Sequence, residues 1–183
     1  ITSSKKIKVI LENPAYDICS EETEIRFIVN QKPDFNLISN DIICMNSDPS
    51  LNLQIENPTG NFTYVWRDDS NNIIGNTPKI IVKKGGNFKV IATSVEGCKS
   101  EEKSIFVKES GISTININNI MVQDDSDNNF IKVNSENLGL GEYEFRLLDK
   151  NYNIIVDYQN ETLFDNLDGG VYILELNDKN GCG

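Results

Sequence analysis

The chain has 183 residues, with 28 acidic and 17 basic side chains, a formal net charge of −11 and no histidine. A nucleic-acid-binding surface needs clustered Lys and Arg, so this charge balance argues against a nucleic-acid partner. The lack of histidine removes the commonest general base and zinc ligand, so we expect no enzyme, no catalytic residues and no cofactor. We find neither a membrane-length apolar run nor a signal-peptide pattern, and therefore expect a soluble piece of a longer protein without membrane insertion.

Nearly every segment has apolar residues at alternate positions, the pattern of half-buried antiparallel strands. In "NFTYVWRDD", for example, Phe62, Tyr64 and Trp66 share one face. In chain order we predict strands at 7–11, 24–29, 51–55, 62–66, 79–83, 87–93, 103–107, 114–122, 130–133, 143–147 and 171–176. Turn-forming Gly, Asn, Asp, Ser and Pro clusters separate them. Short strands with frequent turns predict an all-β fold of β-sandwiches.

The sequence also contains an internal repeat. "GGNFKVIATSVEGC" aligns without gaps with "GGVYILELNDKNGC", which ends 84 residues later, and "GNFTYVWRDDSNNII" aligns with "GEYEFRLLDKNYNII" at an offset of 81. A looser third copy near the N-terminus puts Cys19 where Cys98 stands. We therefore predict three segments: a C-terminal hairpin of a preceding repeat plus linker at 1–36, a complete repeat at 37–110 and a final repeat at 111–183. Short linkers near "NQKPDFN" and "KESGIS" are expected to limit bending.

The cysteines take their predicted roles from this repeat. In the middle repeat, Trp66 lies between Cys44 and Cys98, the order seen in immunoglobulin-like domains, where an aromatic residue packs near an inter-sheet disulfide. We therefore predict a structural disulfide between Cys44 and Cys98. The partner of Cys19 would precede residue 1. The position equivalent to Cys44 in the final repeat, near residue 125, holds no cysteine, so Cys182 is expected to be a relic or to pair beyond the chain. A catalytic free thiol is the rival interpretation, but it lacks a basic neighbour.

The closing stretch "YEFRLLDKNYNIIVDYQNETLFDNLDGGVYILELNDKNGCG" resembles the repeat just before the C-terminal sorting domain of large type IX-secreted surface proteins in gliding Bacteroidota. The middle repeat, with "IICMNSD", "YVWRDDSNN" and "VEGCKS", is similar to the Ig-like or PKD-like repeats of their stalks. The sorting domain itself is not in this sequence. The resemblance implies tandem immunoglobulin-like domains in a secreted, non-catalytic, cell-surface stalk or adhesin segment. It also implies two kinds of partner. One is the type IX secretion machinery, which would bind a downstream sorting domain. The other is a ligand on the cell surface, either polysaccharide or another surface protein.

Two other patterns have alternative interpretations. Asp125, Asp127, Asn129 and Glu136 stand at positions 1, 3, 5 and 12 of a calcium loop, but position 6 is Phe130 where the loop needs Gly. We prefer a solvated hairpin turn there and assign no metal site.

Trp66 could stack on a sugar, yet its repeat equivalent is Leu147, so burial in the core is preferred. The alternative function for the chain is a carbohydrate-binding accessory module of a secreted glycoside hydrolase, which would need a row of exposed aromatic side chains.

Overall fold

The computed structural model describes residues 3–12, 20–38, 41–56, 60–124 and 128–183, and these form an all-β fold. The strands are β1 Ser3–Glu12, β2 Ser20–Val29, β3 Asn36–Ile38, β4 Ile42–Cys44, β5 Leu51–Glu56, β6 Phe62–Arg67, β7 Ile73–Gly75, β8 Lys79–Val82, β9 Gly86–Ser94, β10 Lys103–Ser110, β11 Ile120–Gln123, β12 Asn129–Val133, β13 Tyr143–Asp149, β14 Ile154–Gln159, β15 Leu163–Leu167 and β16 Tyr172–Asp178. A single-turn 3₁₀ helix covers Ile117–Asn119. Within the described ranges, no helix has the length and apolar character needed to span a membrane.

The chain divides into two compact units, each assembled from separate stretches. The first contains Ile1–Ile38, Gln54–Pro78 and Lys89–Ser104, and the second contains Ser39–Leu53, Lys79–Phe88 and Ile105–Gly183. The segments 1–36, 37–110 and 111–183 describe a different property, the sequence repeat, and their boundaries stay a prediction.

The first unit has a tryptophan-centred core. Strand β6 pairs antiparallel with β7 and β9, β3 pairs with β5, and β1 and β2 form a hairpin. Trp66 is fully buried, and its Nε1 donates a hydrogen bond of 2.9 Å to the carbonyl oxygen of Thr77. From residue 29 onward, where the structure describes side-chain burial, the buried apolar side chains of this unit are Phe35, Ile55, Tyr64, Trp66, Val90 and Ala92. The predicted burial of Trp66 is therefore confirmed.

The second unit contains two three-stranded antiparallel sheets, with strand orders β11-β12-β15 and β14-β13-β16, and a parallel pair of β4 and β10. Its main cluster of buried side chains is Val133, Leu138, Phe145, Leu147 and Phe164. Apart from Leu138, which lies between β12 and β13, these come from both three-stranded sheets, so the sheets face each other across a shared apolar core, as in a β-sandwich. The predicted all-β, sandwich-type fold is confirmed.

The two repeated segments also have matching strand register in the structure. Phe62 of β6 lies opposite Ser94 of β9, and Tyr143 of β13 lies opposite Asp178 of β16. The first residues of these two pairs are 81 apart in sequence and the second residues are 84 apart, the same two offsets as in the alignment. The two strand pairs are thus equivalent residue by residue.

The hairpin turns that follow these strands are also equivalent. The Oδ1 atom of Asp68 accepts hydrogen bonds from the backbone N–H groups of Ser70 and Asn72, at 3.0 and 2.9 Å. The Oδ1 atom of Asp149 accepts the matching pair from Asn151 and Asn153, at 2.7 and 2.9 Å. An aspartate that binds backbone two and four residues ahead fixes the turn locally, so the sequence alone could specify it.

Candidate functional site

The cysteine pairing differs from the prediction. Cys44 is bonded to Cys182, with 5.3 Å between their Cα atoms, across a sequence separation of 138 residues. Cys98 carries a free thiol and is partly exposed. The predicted Cys44–Cys98 disulfide is therefore wrong, and so is the expectation that Cys182 has no partner in this chain. Cys19 lies outside the described residues.

Strand register explains the observed pairing. Strand β4 runs parallel to β10 and places Cys44 opposite Ser110, the last residue of β10. The hydroxyl of Ser110 donates a 2.7 Å hydrogen bond to Oδ2 of Asp178, which opens the turn that carries Cys182. Cys44 is thus brought to the final turn of the chain. A disulfide prediction that considers one repeat at a time could not find this pair, because Cys44 and Cys182 belong to different repeats.

Asp178 is the centre of the site, and the residue is only 1% exposed. Oδ2 accepts hydrogen bonds from the Ser110 hydroxyl and, at 3.1 Å, from the backbone N–H of Cys182. Oδ1 accepts from the backbone N–H of Glu142 at 3.0 Å and from the side-chain amide of Asn180 at 3.1 Å. Burial raises the pKa of this carboxyl, but hydrogen bonds from the Ser110 side chain and from the backbone of Cys182, Glu142 and Asn180 outweigh burial and hold the pKa below its ordinary value. Asp178 is therefore an ionised group that binds three separate stretches of chain.

Asn46 adds a second connection near the disulfide. Its Nδ2 donates a 2.9 Å hydrogen bond to the carbonyl oxygen of Cys182, and its Oδ1 accepts one of 3.2 Å from the backbone N–H of Ile112. Cys182 itself is 7% exposed. We call Cys44, Asn46, Ser110, Asp178 and Cys182 the clasp. Its contacts hold residues 110–112, where the repeat predicts the boundary between the middle and final segments.

Tyr143 extends the network along this boundary. Its hydroxyl donates a 2.9 Å hydrogen bond to the carbonyl oxygen of Gly111 and accepts one of 3.0 Å from the backbone N–H of Gly141. A Cβ atom at Gly141 would lie 2.7 Å from both Oδ1 of Asp178 and the Tyr143 ring, so this close approach requires glycine. Lys108 and Glu142 form an ion pair beside these residues, and Lys108 lowers the pKa of the Glu142 carboxyl.

The other predicted linker, "NQKPDFN", is anchored by a buried aromatic residue. Phe35 is 3% exposed, and its ring meets that of Tyr64 edge-on, with 6.4 Å between centroids. The ammonium group of Lys103 lies 5.0 Å from the Phe35 ring centroid and 3.1 Å from Oδ1 of Asp34, and this hydrogen bond lowers the pKa of the Asp34 carboxyl. The linker is thus packed against its unit through Phe35 rather than free in solvent.

A groove of about 750 Å³ follows strands β11 and β12. It is lined by Asn118, Asn119, Ile120, Met121, Val122, Lys132, Val133, Asn134, Ser135, Glu136 and Thr162. Two of its amides hold the local backbone: Asn119 donates to the carbonyl oxygens of Asn134 and Glu136 at 3.3 and 3.4 Å, and Asn134 accepts from the backbone N–H of Glu136 at 3.0 Å.

Of the four candidate calcium ligands, Asp125 and Asp127 lie outside the described residues. Asn129 begins β12, where its side-chain amide donates to the carbonyl oxygen of Leu167 at 3.1 Å, and Glu136 lies beyond the other end of that strand. An extended strand therefore separates Asn129 from Glu136, and the structure does not bring them together. In the part of the chain that the structure describes, no group of three or more Cys, Asp or Glu side chains is arranged to hold a metal ion.

The sequence analysis missed Asn46, Ser110 and Asp178 as site residues. One signal for Asp178 was present, because the repeat aligns it with Ser94, another side chain that binds backbone at the start of a turn. No protein-family model matches the chain, and a search of curated proteins gives no match. The function of the chain is therefore inferred from its own residues and geometry.

Proposed function

We propose that this chain is a non-catalytic stalk or adhesin segment of a secreted bacterial cell-surface protein, built from tandem immunoglobulin-like domains. The clasp is the observation that carries the proposal. Disulfides persist in oxidising compartments such as the cell exterior and are rare in the cytosol. A disulfide between Cys44 and Cys182 thus supports a location outside the cytoplasm.

The contacts of the clasp also support a mechanical role. Domains joined by a short linker move relative to one another by default, unless other contacts fix the linker. Here residues 110–112 are fixed by three groups on other stretches of chain: Asp178 binds Ser110, Tyr143 binds Gly111 and Asn46 binds Ile112. All of these groups lie in the second compact unit, so the predicted linker is held rigidly within that unit, as a stalk that projects a distant binding surface requires. Export by the type IX machinery, through a sorting domain further along the parent protein, follows from the sequence resemblance.

The alternative is a carbohydrate-binding accessory module of a secreted glycoside hydrolase. The groove along β11 and β12 has the amide, hydroxyl and carboxylate groups that bind sugar hydroxyls. However, Trp66, the side chain considered as a sugar platform, is fully buried and cannot stack on a ligand. The stalk is therefore the better supported function.

Antibodies against residues 1–183 test the proposal on cells of the organism that encodes the chain. We expect labelling of intact cells, with equal labelling after permeabilisation. Labelling that needs permeabilisation would contradict a surface location. A glycan array probed with the purified chain separates the two functions, because specific binding that is lost in a Ser135→Ala/Thr162→Ala variant would favour the carbohydrate-binding module.

A further inference from the structure

We propose that the Cys44–Cys182 disulfide is a force bypass: once residues 1–44 are extended, tension applied between residues 1 and 183 crosses from Cys44 to Cys182, and the backbone between them carries none. The half-cystines are 138 residues apart in sequence, but their Cα atoms are 5.3 Å apart. A covalent path this short cannot lengthen, so the long path through residues 45–181 stays slack at any force that leaves the disulfide intact. This inference goes beyond the proposed function and depends only on the pairing of the cysteines.

The bypassed stretch contains most of the folded protein. Strands β5 to β16 all lie within residues 45–181. Among the side chains that the structure describes from residue 29 onward, the buried apolar ones outside this stretch are Phe35, Ile43 and Cys182 itself. Pulling on the ends can therefore extend only the residues up to Cys44 and the last two residues. The buried side chains within residues 45–181 therefore stay in a stretch that cannot be extended from the ends, whereas Phe35 and Ile43 can be pulled out of their cores.

The effect on chain length is large enough to measure. Of the 182 steps between the Cα atoms of residues 1 and 183, the crosslink removes 138 and leaves 44. At about 3.5 Å per extended step, the stretched chain reaches roughly 150 Å with the disulfide and roughly 640 Å without it.

The surroundings of the disulfide limit access to the sulfur of Cys182, while Cys44 is partly exposed. Attack on a disulfide requires that a thiolate reach one of its sulfur atoms. Cys182 is 7% exposed, and its backbone is held on both sides, by Asp178 at the N–H and by Asn46 at the carbonyl oxygen. Cys98, in the equivalent turn of the other repeat, is a partly exposed free thiol and serves as a matched control site.

Single-molecule stretching between handles at the two ends of the chain tests the bypass. We expect a final contour length of roughly 150 Å for the wild-type chain and for Cys98→Ala, and roughly 640 Å for Cys44→Ala/Cys98→Ala/Cys182→Ala. Final contour length does not depend on folding, so the comparison holds even if the triple variant is unfolded. A wild-type chain that reaches roughly 640 Å without reductant would overturn the proposal, as would a triple variant that stays near 150 Å.

Limited proteolysis gives an independent measurement in bulk. A chain cut once between residues 45 and 181 should run as one covalent species on a non-reducing gel and separate into two fragments on reduction. Separation without reductant would contradict the bypass. Failure of the proposed function would appear in the cell-labelling and glycan-array experiments and not here, because neither length nor fragment linkage depends on cellular location or on sugar binding.

Discussion

Ser94 and Asp178 occupy the same position in two copies of one turn. Each side chain accepts a hydrogen bond from the backbone N–H of the cysteine four residues later, at 3.3 Å for Ser94 and 3.1 Å for Asp178. In both turns a glycine precedes the cysteine, with φ of 85° at Gly97 and 80° at Gly181, a backbone conformation that glycine adopts without strain. Asp178 additionally binds Ser110 and the backbone of Glu142, so the second copy of the turn also makes tertiary contacts.

Replacing Asp178 with serine, the residue at the equivalent position 94 of the other repeat, tests this difference. Asp178→Ser should keep the bond to the Cys182 N–H but lose those to Ser110 and Glu142, and should lower the free energy of unfolding by about 1–3 kcal/mol. Asp178→Ala loses all of these bonds and should be less stable again. Urea unfolding measures both. Equal stability of Asp178→Ser and the wild-type chain would mean that the tertiary bonds contribute nothing.

Acid should remove the contribution of Asp178. Its pKa is lower in the folded than in the unfolded chain, so its stabilising effect is present above the unfolded pKa and is lost as pH falls through the folded pKa. The difference in unfolding free energy between the wild-type chain and Asp178→Ser should therefore be constant near neutral pH and shrink below about pH 4. Unfolding curves at a series of pH values check this. A difference that grows on acidification would show that the protonated carboxyl is the stabilising form.

The disulfide should be the largest single contribution of the clasp. Closing a loop of this length stabilises by about 5 kcal/mol in the chain-entropy model, and we expect Cys44→Ala/Cys182→Ala to cost about 2–5 kcal/mol. Cys98→Ala is the matched control and should be close to neutral. Peptide mapping without reductant should recover a linked Cys44 and Cys182 pair, and Cys98 should react with an alkylating agent in the native chain. Recovery of a Cys44–Cys98 peptide would restore the pairing predicted from the repeat.

The two equivalent hairpins differ at a position with positive φ. Asn71 has φ of 64° and Tyr152 has φ of 65°, a left-handed conformation that asparagine tolerates better than tyrosine. Tyr152 is 71% exposed, so its side chain makes few contacts to lose. Tyr152→Asn should therefore stabilise the chain by roughly 0.5–1 kcal/mol, and Asn71→Tyr should destabilise it by a similar amount. Thermal unfolding of the two variants should shift in opposite directions, and a shift of the same sign in both would refute the strain argument.

Trp66 provides a spectroscopic test of the first unit. Its indole is fully buried, so native emission should be blue-shifted and should move to longer wavelength on unfolding. Trp66→Leu introduces the amino acid found at the equivalent position 147 of the other repeat. The smaller side chain leaves a cavity and removes the hydrogen-bond donor to the Thr77 carbonyl oxygen. We expect a loss of about 2–4 kcal/mol. Solvent-exposed emission in the native state would instead return Trp66 to the role of a sugar-binding platform.

The sequence by itself determined the features that depend on neighbouring residues. Period-two patterns located most of the longer strands, because alternate side chains of a strand lie on one face. Strands β3, β4 and β7 were missed, since three residues are too few to show a period, and the longer strands β14 and β15 were missed as well. The strand predicted over 114–122 starts only at Ile120, because the side chain of Asn116 caps a 3₁₀ turn at Ile117–Asn119.

Only the tertiary structure decided which cysteines are bonded and which residues form the clasp. The repeat placed Cys98 and Cys182 in equivalent turns, but one has a free thiol and the other is bonded to Cys44. The choice depends on the register of β4 against the end of β10 and on the bond from Ser110 to Asp178. These contacts join residues far apart in sequence, and a local pattern contains no information on which distant strands will pair. The repeat therefore specified two similar turns, and packing of the folded chain gave one of them its partner.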